Sequence, residues 1–158
     1  RWEQAAAELL ASLGTALGGL VCSAGSLAVG AAAAAIEWAR GQLGKPYLWG
    51  ATGPEAFDCS GLTLRAWQAA GVQLPRVSRD QARAGARIPL QQAQPGDLIF
   101  KSRDGSVNGV HHVALYLGDG QLLEAPYSGA EVRIRPISWD ERGLLPYAVR
   151  PGAPGASA

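Results

Sequence analysis

The stretch FDCSGL, residues 57–62, decides the fold, because it starts a helix with a cysteine between an acid and a hydroxyl. Asp58 is a residue type that caps helices, and the segment after it is predicted to be helical up to Gly71. The apolar face of this helix would consist of Leu62, Ala66, Trp67 and Ala70. We therefore expect Cys59 at a helix N-terminus, where free N–H groups and the helix dipole favour a thiolate. The alternative is a buried structural cysteine, a common environment for this residue type.

Helical patterns precede and follow this stretch, and strand patterns come after them. Residues 32–44 carry apolar positions at helical spacing, and residues 78–85 predict a short helix capped by Ser78. After QPGD, residues 94–97, the alternation becomes that of strands. Five strands are predicted: LIFK, HHVALYLG, QLLEAP, EVRIRPI and YAVR. This order predicts an α+β fold, with N-terminal helices packed on a central antiparallel sheet of about five strands.

The composition excludes several classes of protein. The 158 residues suit one domain with a sizeable core, and a net charge of +1 offers no basic field for nucleic acid. Two cysteines, Cys22 and Cys59, do not make a disulfide framework, and with two adjacent histidines they lack the ligand spacing of a zinc site. We therefore expect a monomer with no metal, no cofactor and no nucleic-acid partner. The start at Arg1 and the lack of methionine lead us to expect a fragment of a longer product.

Residues 1–35 differ in composition from the rest of the chain. No charged residue lies between Glu8 and Glu37, and the run is mostly Ala, Gly and Ser. Its length would suit a bilayer span, but it has few large apolar residues. A leftover signal segment is a second interpretation, and LVCSAG, residues 20–25, resembles a lipoprotein cleavage site with a poorly fitting valine. We favour a third interpretation, in which the segment forms small-residue helices that pack on the domain.

The favoured interpretation has two versions. The helices would be broken near Gly18-Gly19 and Gly25. They would carry an apolar stripe formed by Leu9, Leu10, Leu13, Leu17, Leu20 and Val21. This stripe could pack as a plain scaffold on the far side of the domain, which we favour slightly, or it could limit access to Cys59.

The two histidines, His111 and His112, open the predicted strand HHVALYLG. Side chains alternate between the two faces of a strand. The face of His111 carries Val113, Leu115 and Leu117, which suit the core. The face of His112 carries Ala114 and Tyr116, and the small alanine leaves room for a helix end to approach. We therefore expect His112 to meet Cys59 as its base, with His111 at the rim.

Glu124 on the next strand is the acid available to orient that base. A two-residue turn at Asp119-Gly120 would place Glu124 on the wrong face of the sheet. A three-residue loop, residues 118–120, with a glycine in the left-handed position, would instead pair Ala114 with Glu124. His112 and Glu124 are then diagonal neighbours within reach of long side chains. We expect this loop, and a glutamate that fixes the imidazole through one nitrogen and leaves the other for the thiol.

Five segments with motif character occur in a fixed order. They are KPYLWGATGPEAFDCSGLTLRAW, LPRVSRDQ, QPGDLIF, HHVALYLGDGQLLEAP and the closing AVRP. Together they resemble the NlpC/P60 family of cysteine peptidases, from about Ile36 to Pro151. The resemblance divides the chain into an N-terminal helical segment (residues 1–35), a catalytic domain (residues 36–151) and a tail (residues 152–158).

The resemblance implies a papain-like fold and cleavage of peptidoglycan stem peptides, often between γ-D-glutamate and a diamino acid. Matched position by position, Cys59 is the nucleophile, His112 the base and Glu124 the third catalytic residue. Many members have histidine at the third position, and glutamate there resembles the Rip-type hydrolases of actinobacteria. Tyr47 matches a tyrosine beside the nucleophile, and its hydroxyl with the Cys59 N–H would stabilise an oxyanion. The residues implied to line the cleft for the stem peptide are Asp58, Ser60, Arg76 and Ser78.

The resemblance also implies a bacterial protein that is secreted or associated with the cell wall. Its partner would be the stem peptides of peptidoglycan, and the catalytic domain would contain no membrane span. Two alternatives belong to other functional classes: an inactive wall-binding module, and an amidase or acyltransferase of the same superfamily. Competent residues at all three catalytic positions speak against the inactive module.

Overall fold

The computed structural model describes residues 24–153, as three α-helices that precede a six-stranded antiparallel sheet. The helices are α1 (Ala24–Arg40), α2 (Cys59–Ala69) and α3 (Ser78–Gln81). The strands are β1 (Ala86–Pro89), β2 (Leu98–Ser102), β3 (Val110–Gly118), β4 (Gln121–Glu124), β5 (Arg133–Pro136) and β6 (Tyr147–Arg150), and their order in the sheet is β1-β6-β2-β3-β4-β5. The predicted α+β class is confirmed, and the strand that the sequence did not indicate is β1.

The N-terminal predictions are only partly accessible to the structure. The apolar stripe, Cys22 and the pair Gly18-Gly19 lie outside the described residues, as do residues 154–158. Gly25 belongs to α1 and does not break it, and α1 runs without interruption across the predicted boundary at residues 35 and 36. Within residues 24–153, no helix combines the length and the apolar character that a membrane crossing requires.

The start of α2 is fixed by short-range contacts of the residues that precede it. Asp58 is extended (φ −97°, ψ −178°), and its Oδ1 accepts a hydrogen bond from the Gly61 N–H at 2.7 Å. The Asp58 N–H in turn donates to the Ala51 carbonyl at 3.0 Å. A Cβ on Gly61 would lie 2.2 Å from that carbonyl oxygen, so only glycine permits this approach of loop and helix. The sequence DCSG therefore places Cys59 at the first turn of the helix, as predicted.

The predicted cap of α3 is wrong, because Ser78 is the first helical residue. Val77 occupies the N-cap position and makes no side-chain cap hydrogen bond. Gln81 holds the short helix instead: its fully buried amide accepts from the Thr63 hydroxyl at 2.7 Å and donates to the Ser60 and Pro75 carbonyls. A buried amide with all these partners joins α3 to α2.

The sheet has a different apolar cluster on each face. The larger cluster joins the helices to one face and includes Ala39, Leu62, Trp67, Phe100, Val113 and Leu115. The smaller cluster covers the other face and includes Leu90, Ile99, Ala114, Tyr116 and Leu122. Among the described residues, no member of this second cluster belongs to α2. The expectation that Ala114 makes room for the helix end is therefore wrong, since the helix packs on the opposite face.

The hairpin of β3 and β4 has the predicted register with a different loop. Asp119 and Gly120 form a two-residue turn in which both have positive φ (53° and 71°), as a primed turn requires. A β-bulge at Leu117 inserts one extra residue on β3, because Gly118 pairs with Gln121 whereas Tyr116 pairs with Leu122. The predicted three-residue loop is thus wrong. Extended by one position, the register beyond the bulge still sets Ala114 opposite Glu124.

Candidate active site

Cys59 and Tyr47 are brought together by the loop that leads into α2. Tyr47 forms a backbone bridge with Phe57, and its N–H donates to the Ala130 carbonyl at 3.0 Å. Cys59 is half-buried at the first turn of α2. Burial, followed by the negative charges of Cys59 and Asp58, raises the pKa of the Tyr47 phenol. This hydroxyl is consequently protonated near neutral pH and can donate a hydrogen bond beside the sulfur.

His112 lies between the thiol and a buried carboxylate. Its Nε2 is 2.9 Å from Oε1 of Glu124, and the imidazole lines the same cavity as Cys59 and interacts with it electrostatically. The side chain of His112 is 14% exposed and that of Glu124 only 1%. With Nε2 committed to the carboxylate, the other ring nitrogen is the one available to sulfur, which is the geometry that the register predicted.

The ionisation of this pair is strongly perturbed. Burial alone would lower the pKa of His112, but the hydrogen bonds and charges of Cys59 and Glu124 outweigh it and raise the pKa to about 9. Burial would likewise raise the pKa of Glu124, yet His112 and Arg135 lower it to about 2. Near neutral pH the imidazole is therefore a cation beside the Glu124 carboxylate.

Two arginines from β5 hold the other oxygen of Glu124. Its Oε2 accepts hydrogen bonds from Nε and Nη2 of Arg133 at 3.0 and 2.9 Å, and from Nε of Arg135 at 2.8 Å. Arg135 continues to Glu141 through two further bonds of 2.9 and 3.0 Å, and Lys101 pairs with Glu141 at 2.6 Å. Hydrogen bonds from Arg135, and then Lys101, lower the pKa of Glu141 to about 2 against the effect of burial. The carboxylate that orients His112 is thus part of a five-residue charge network.

A second buried carboxylate, Asp58, holds an arginine on the other side of Cys59. Oδ2 of Asp58 accepts from Arg76 Nη2 at 2.8 Å and from the Gly50 N–H at 2.9 Å. Arg76 also reaches Asp58 Oδ1 at 3.2 Å and Ser60 Oγ at 2.8 Å through Nη1. Asp58 and Ser60 are each 6% exposed, so Arg76 presents most of the accessible surface of this group.

Two cavities of about 550 and 590 Å³ meet at Cys59, and each is of the size that holds a small ligand. The first, here called the His112-side cavity, has His112, Glu124, Lys101, Tyr127, Arg133, Arg135 and Glu141 in its walls. The second, the Asp58-side cavity, is lined among others by Asp58, Ser60, Arg76, Ser78 and Arg103. Tyr47, Cys59 and His111 line both. An extended chain bound in both cavities would cross the sulfur.

The predicted site residues all line these cavities, and six further charged residues accompany them. His111 is exposed at the rim, and burial of its ring with the nearby charges of Arg103, His112 and Lys101 lowers its pKa. The charged residues that the sequence analysis missed are Lys101, Arg133, Arg135 and Glu141 in the His112-side cavity, and Arg79 and Arg103 in the Asp58-side cavity. A signal existed in EVRIRPI, because the alternation R-I-R sets two arginines on one face of a strand. Within residues 24–153 there is no cluster of three or more His, Cys, Asp or Glu that could hold a metal ion.

Helices packed on an antiparallel sheet, with a cysteine at a helix start beside a histidine on a strand, define the papain-like class of α+β folds. The model of the NlpC/P60 family matches residues 44–144, and the chain belongs to this family.

Similar proteins are peptidoglycan enzymes. Peptidoglycan endopeptidase RipA of Mycobacterium tuberculosis is 41% identical over 128 residues, which cover 73% of this chain and 26% of RipA. A γ-D-glutamyl-L-lysine dipeptidyl-peptidase of Bacillus cereus is 41% identical over 96 residues, covering 61% of this chain and 29% of that enzyme. The solved structure of the peptidoglycan hydrolase RipB from M. tuberculosis is similar with a TM-score of 0.68 and 33% identity, over 94% of this chain and 81% of that one. The chain therefore spans between a quarter and a third of the length of the first two relatives.

Proposed function

We propose that this chain is a peptidoglycan endopeptidase domain that cuts stem peptides at the γ-D-glutamyl–diamino acid bond. One observation carries the proposal: the His112 imidazole is hydrogen-bonded to Glu124 at 2.9 Å and lines the same cavity as Cys59, whose interaction with it raises the pKa of the ring. Membership of the family and the names of its relatives support peptidoglycan as the substrate. The same relatives support a secreted or wall-associated location.

The thiolate of Cys59 and the imidazolium of His112 form the reactive pair. Sulfur attacks the carbonyl carbon of the amide, and the tetrahedral intermediate collapses when the C–N bond breaks. His112 gives its proton to the leaving amine as that bond breaks. A water molecule then loses a proton to His112 and attacks the thioester, which releases the γ-glutamyl carboxylate and restores the thiolate and the imidazolium. Glu124 keeps the imidazole in one orientation throughout and stabilises its charged form.

The oxyanion of the intermediate requires donors near the sulfur. The N–H of Cys59 lies in the first turn of α2, where backbone N–H groups have no partner inside the helix. The hydroxyl of Tyr47 is protonated near neutral pH and lines the cavity beside the sulfur. These two donors are our candidates for the oxyanion hole. Asp58, Ser60, Arg76 and Ser78 are our candidates for binding the acyl side of the stem peptide, because they line the Asp58-side cavity.

The test is hydrolysis of purified muropeptides, with the products identified by mass spectrometry. The wild-type chain should split the stem after γ-D-glutamate, and Cys59→Ala should abolish this while the fold and Tm stay nearly unchanged. Cys22→Ala is the matched control, since it removes the other thiol and should leave hydrolysis intact. Activity that survives Cys59→Ala would show the nucleophile assignment to be wrong. Release of the whole peptide from the sugar would instead identify an amidase, acyl transfer a transferase, and binding without cleavage an inactive module.

A further inference from the structure

The His112-side cavity has an excess of one positive charge among the described side chains that line it. Three cations, Lys101, Arg133 and Arg135, face two carboxylates, Glu124 and Glu141. The proposed thiolate–imidazolium pair of the reaction adds no net charge. Whatever residue of a substrate enters this cavity therefore meets a weakly cationic wall.

Arg133 is the most exposed of the three cations, and its guanidinium has a donor edge that no described residue uses. Lys101 pairs with Glu141 at 2.6 Å, and Arg135 uses Nε, Nη1 and Nη2 on its two carboxylate partners. Arg133 directs only Nε and Nη2 at Glu124, and its Nη1 makes no hydrogen bond within the described part of the chain. Its side chain is 40% exposed, against 22% for Arg135.

Arg133 is also held in place before any ligand arrives. Glu124 fixes one edge of the guanidinium through two hydrogen bonds of 3.0 and 2.9 Å. The ring of Tyr127 lies 5.5 Å from the guanidinium carbon, at cation–π distance. A planar donor group that is already oriented loses little conformational freedom when a carboxylate binds its remaining edge. Arg133 thus has an oriented guanidinium with a donor edge that the described residues leave free, which suits it to binding a ligand as well as to pairing with Glu124.

The chemistry of the reaction decides which part of a substrate lies in this cavity. The leaving amine takes its proton from His112, so it must come within hydrogen-bond reach of that ring. His112 lines this cavity and does not line the Asp58-side cavity. The residue that carries the leaving amine therefore occupies the cavity of Arg133, and under the proposed function this residue is a diamino acid.

We propose that Arg133 binds a free carboxylate on the side chain of this diamino acid, so that the domain prefers a diaminodicarboxylic acid to lysine. This inference rests on the proposed function. Both diamino acids end in an ammonium group, which the cationic wall disfavours. Only the dicarboxylic acid adds a carboxylate that can pair with Nη1 of Arg133 in a charge-assisted hydrogen bond. For a partly exposed pair we expect a preference of about 10-fold in kcat/KM.

The experiment uses two stem peptides that differ in one group. The substrates are L-Ala-γ-D-Glu-meso-diaminopimelate with its side-chain carboxylate free, and the same peptide with that carboxylate amidated. The wild-type chain should cleave the free acid about 10-fold more efficiently, and Arg133→Gln should bring the ratio of the two kcat/KM values close to 1. Taking a ratio removes any loss of rate that Arg133→Gln causes through Glu124. A lysine peptide should behave like the amidated one.

Arg135→Gln is the matched control, since it also removes one donor from Glu124 but leaves Arg133 in place. It should lower both rates and keep the ratio near 10, and Arg133→Lys should restore part of the preference. A wild-type ratio near 1, or a ratio that Arg133→Gln does not change, would overturn the inference while leaving the endopeptidase assignment standing. Failure of the wild-type chain to cleave any of the three peptides would instead overturn the proposed function, and the inference with it.

Discussion

The two cavities beside Cys59 are built around similar pairs, in which a buried carboxylate holds a partly exposed arginine. On one side the Asp58 side chain is 8% exposed and Arg76 37%, and on the other side Glu124 is 1% exposed and Arg133 40%. In both, the carboxylate keeps the arginine oriented toward the cavity. The two carboxylates differ in their other hydrogen-bond partners, and they therefore affect different properties of the active site.

Besides its arginine, Asp58 accepts hydrogen bonds from two backbone N–H groups, whereas Glu124 is hydrogen-bonded to an imidazole. The bonds from Gly50 and Gly61 to Asp58 fix the loop and the helix start, so this carboxylate sets the position of the sulfur. Cys59 and the bond from Glu124 together raise the pKa of the His112 ring, so this carboxylate stabilises the charged form of the imidazole. The Asp58–Arg76 pair thus helps to position the Cys59 sulfur, and the Glu124–Arg133 pair contains the carboxylate that keeps His112 protonated.

Of the two buried carboxylates, Glu124 should show the larger effect when it is replaced by glutamine. Glutamine keeps an oxygen for His112 but removes the charge, so the pKa of His112 should fall and turnover should drop by at least about 100-fold. Two partly exposed arginines would also lose a counter-charge, at a cost of about 1–3 kcal/mol in the free energy of unfolding. The measurements are kcat/KM as a function of pH and urea unfolding. A pH profile that stays in place would contradict the assigned role, whatever the loss of stability.

A smaller and different effect is expected from Asp58→Asn. Asparagine can still cap α2 through Gly61, but it loses the ion pair with Arg76, so the free energy of unfolding should fall by about 1–3 kcal/mol. Because Arg76 is then less well oriented, KM should rise more than kcat falls. The pH profile of kcat/KM should match that of the wild-type chain. A shift as large as that of Glu124→Gln would mean that both carboxylates act on charge, and the contrast between the two cavities would be lost.

The dependence of stability on pH should also separate the two pairs. The pKa of Glu124 is lowered from 4.5 to about 2, so its stabilisation is present above pH 4.5 and is lost as the pH falls through about 2. The pKa of His112 is raised from 6.5 to about 9, so its stabilisation is complete below pH 6.5 and is lost as the pH rises through about 9. The stability difference between wild type and Glu124→Gln should therefore be largest between pH 4.5 and 6.5.

Urea unfolding across the pH range tests this, with Asp58→Asn as the control. Asp58 makes no hydrogen bond to a histidine, so the difference caused by its substitution should not shrink as the pH rises through 9. Parallel curves for both variants would show that the charge of His112 contributes nothing to the stability of the fold.

The smallest effect is expected at His111, one of the three residues that line both cavities. His111 is exposed and its pKa is lowered, so it is neutral near pH 7 and adds no charge to either side. His111→Asn should change kcat/KM by no more than about 2-fold, as is usual for a surface position. His112→Asn is the matched comparison and should abolish turnover. A loss at His111 as large as at His112 would place the rim histidine within the reaction.

Local patterns were enough to predict the helix start at Cys59 and the side of the sheet shared by His112 and Glu124. Capping and strand alternation act over a few residues, so the sequence displays them directly. The packing of Ala114 could not be obtained in this way, because alternation assigns residues to faces without telling which face the helices cover. The role of Gln81 was likewise hidden, since its partners Ser60, Thr63 and Pro75 become neighbours only after folding.

The charge network of Glu124 shows the same limit. The alternation in EVRIRPI could have assigned two arginines to one face, but their pairing with Glu124 depends on the register of β4 against β5. That register is set by long-range packing and not by a turn of a few residues. The loop of the β3–β4 hairpin was wrong for a related reason: a bulge and a three-residue loop give the same parity, and only the backbone distinguishes them.

The bulge at Leu117 has a genetic consequence. It is the one extra residue that turns Glu124 toward His112, so the face depends on how many residues the hairpin contains. Deleting a single codon there would leave every proposed catalytic residue encoded and still move the carboxylate to the opposite face of the sheet. A substitution at the same codon would preserve the count. Selection on this hairpin should therefore tolerate substitutions and reject insertions and deletions. An in-frame deletion at this position would be a loss-of-function allele in which every catalytic codon is still present.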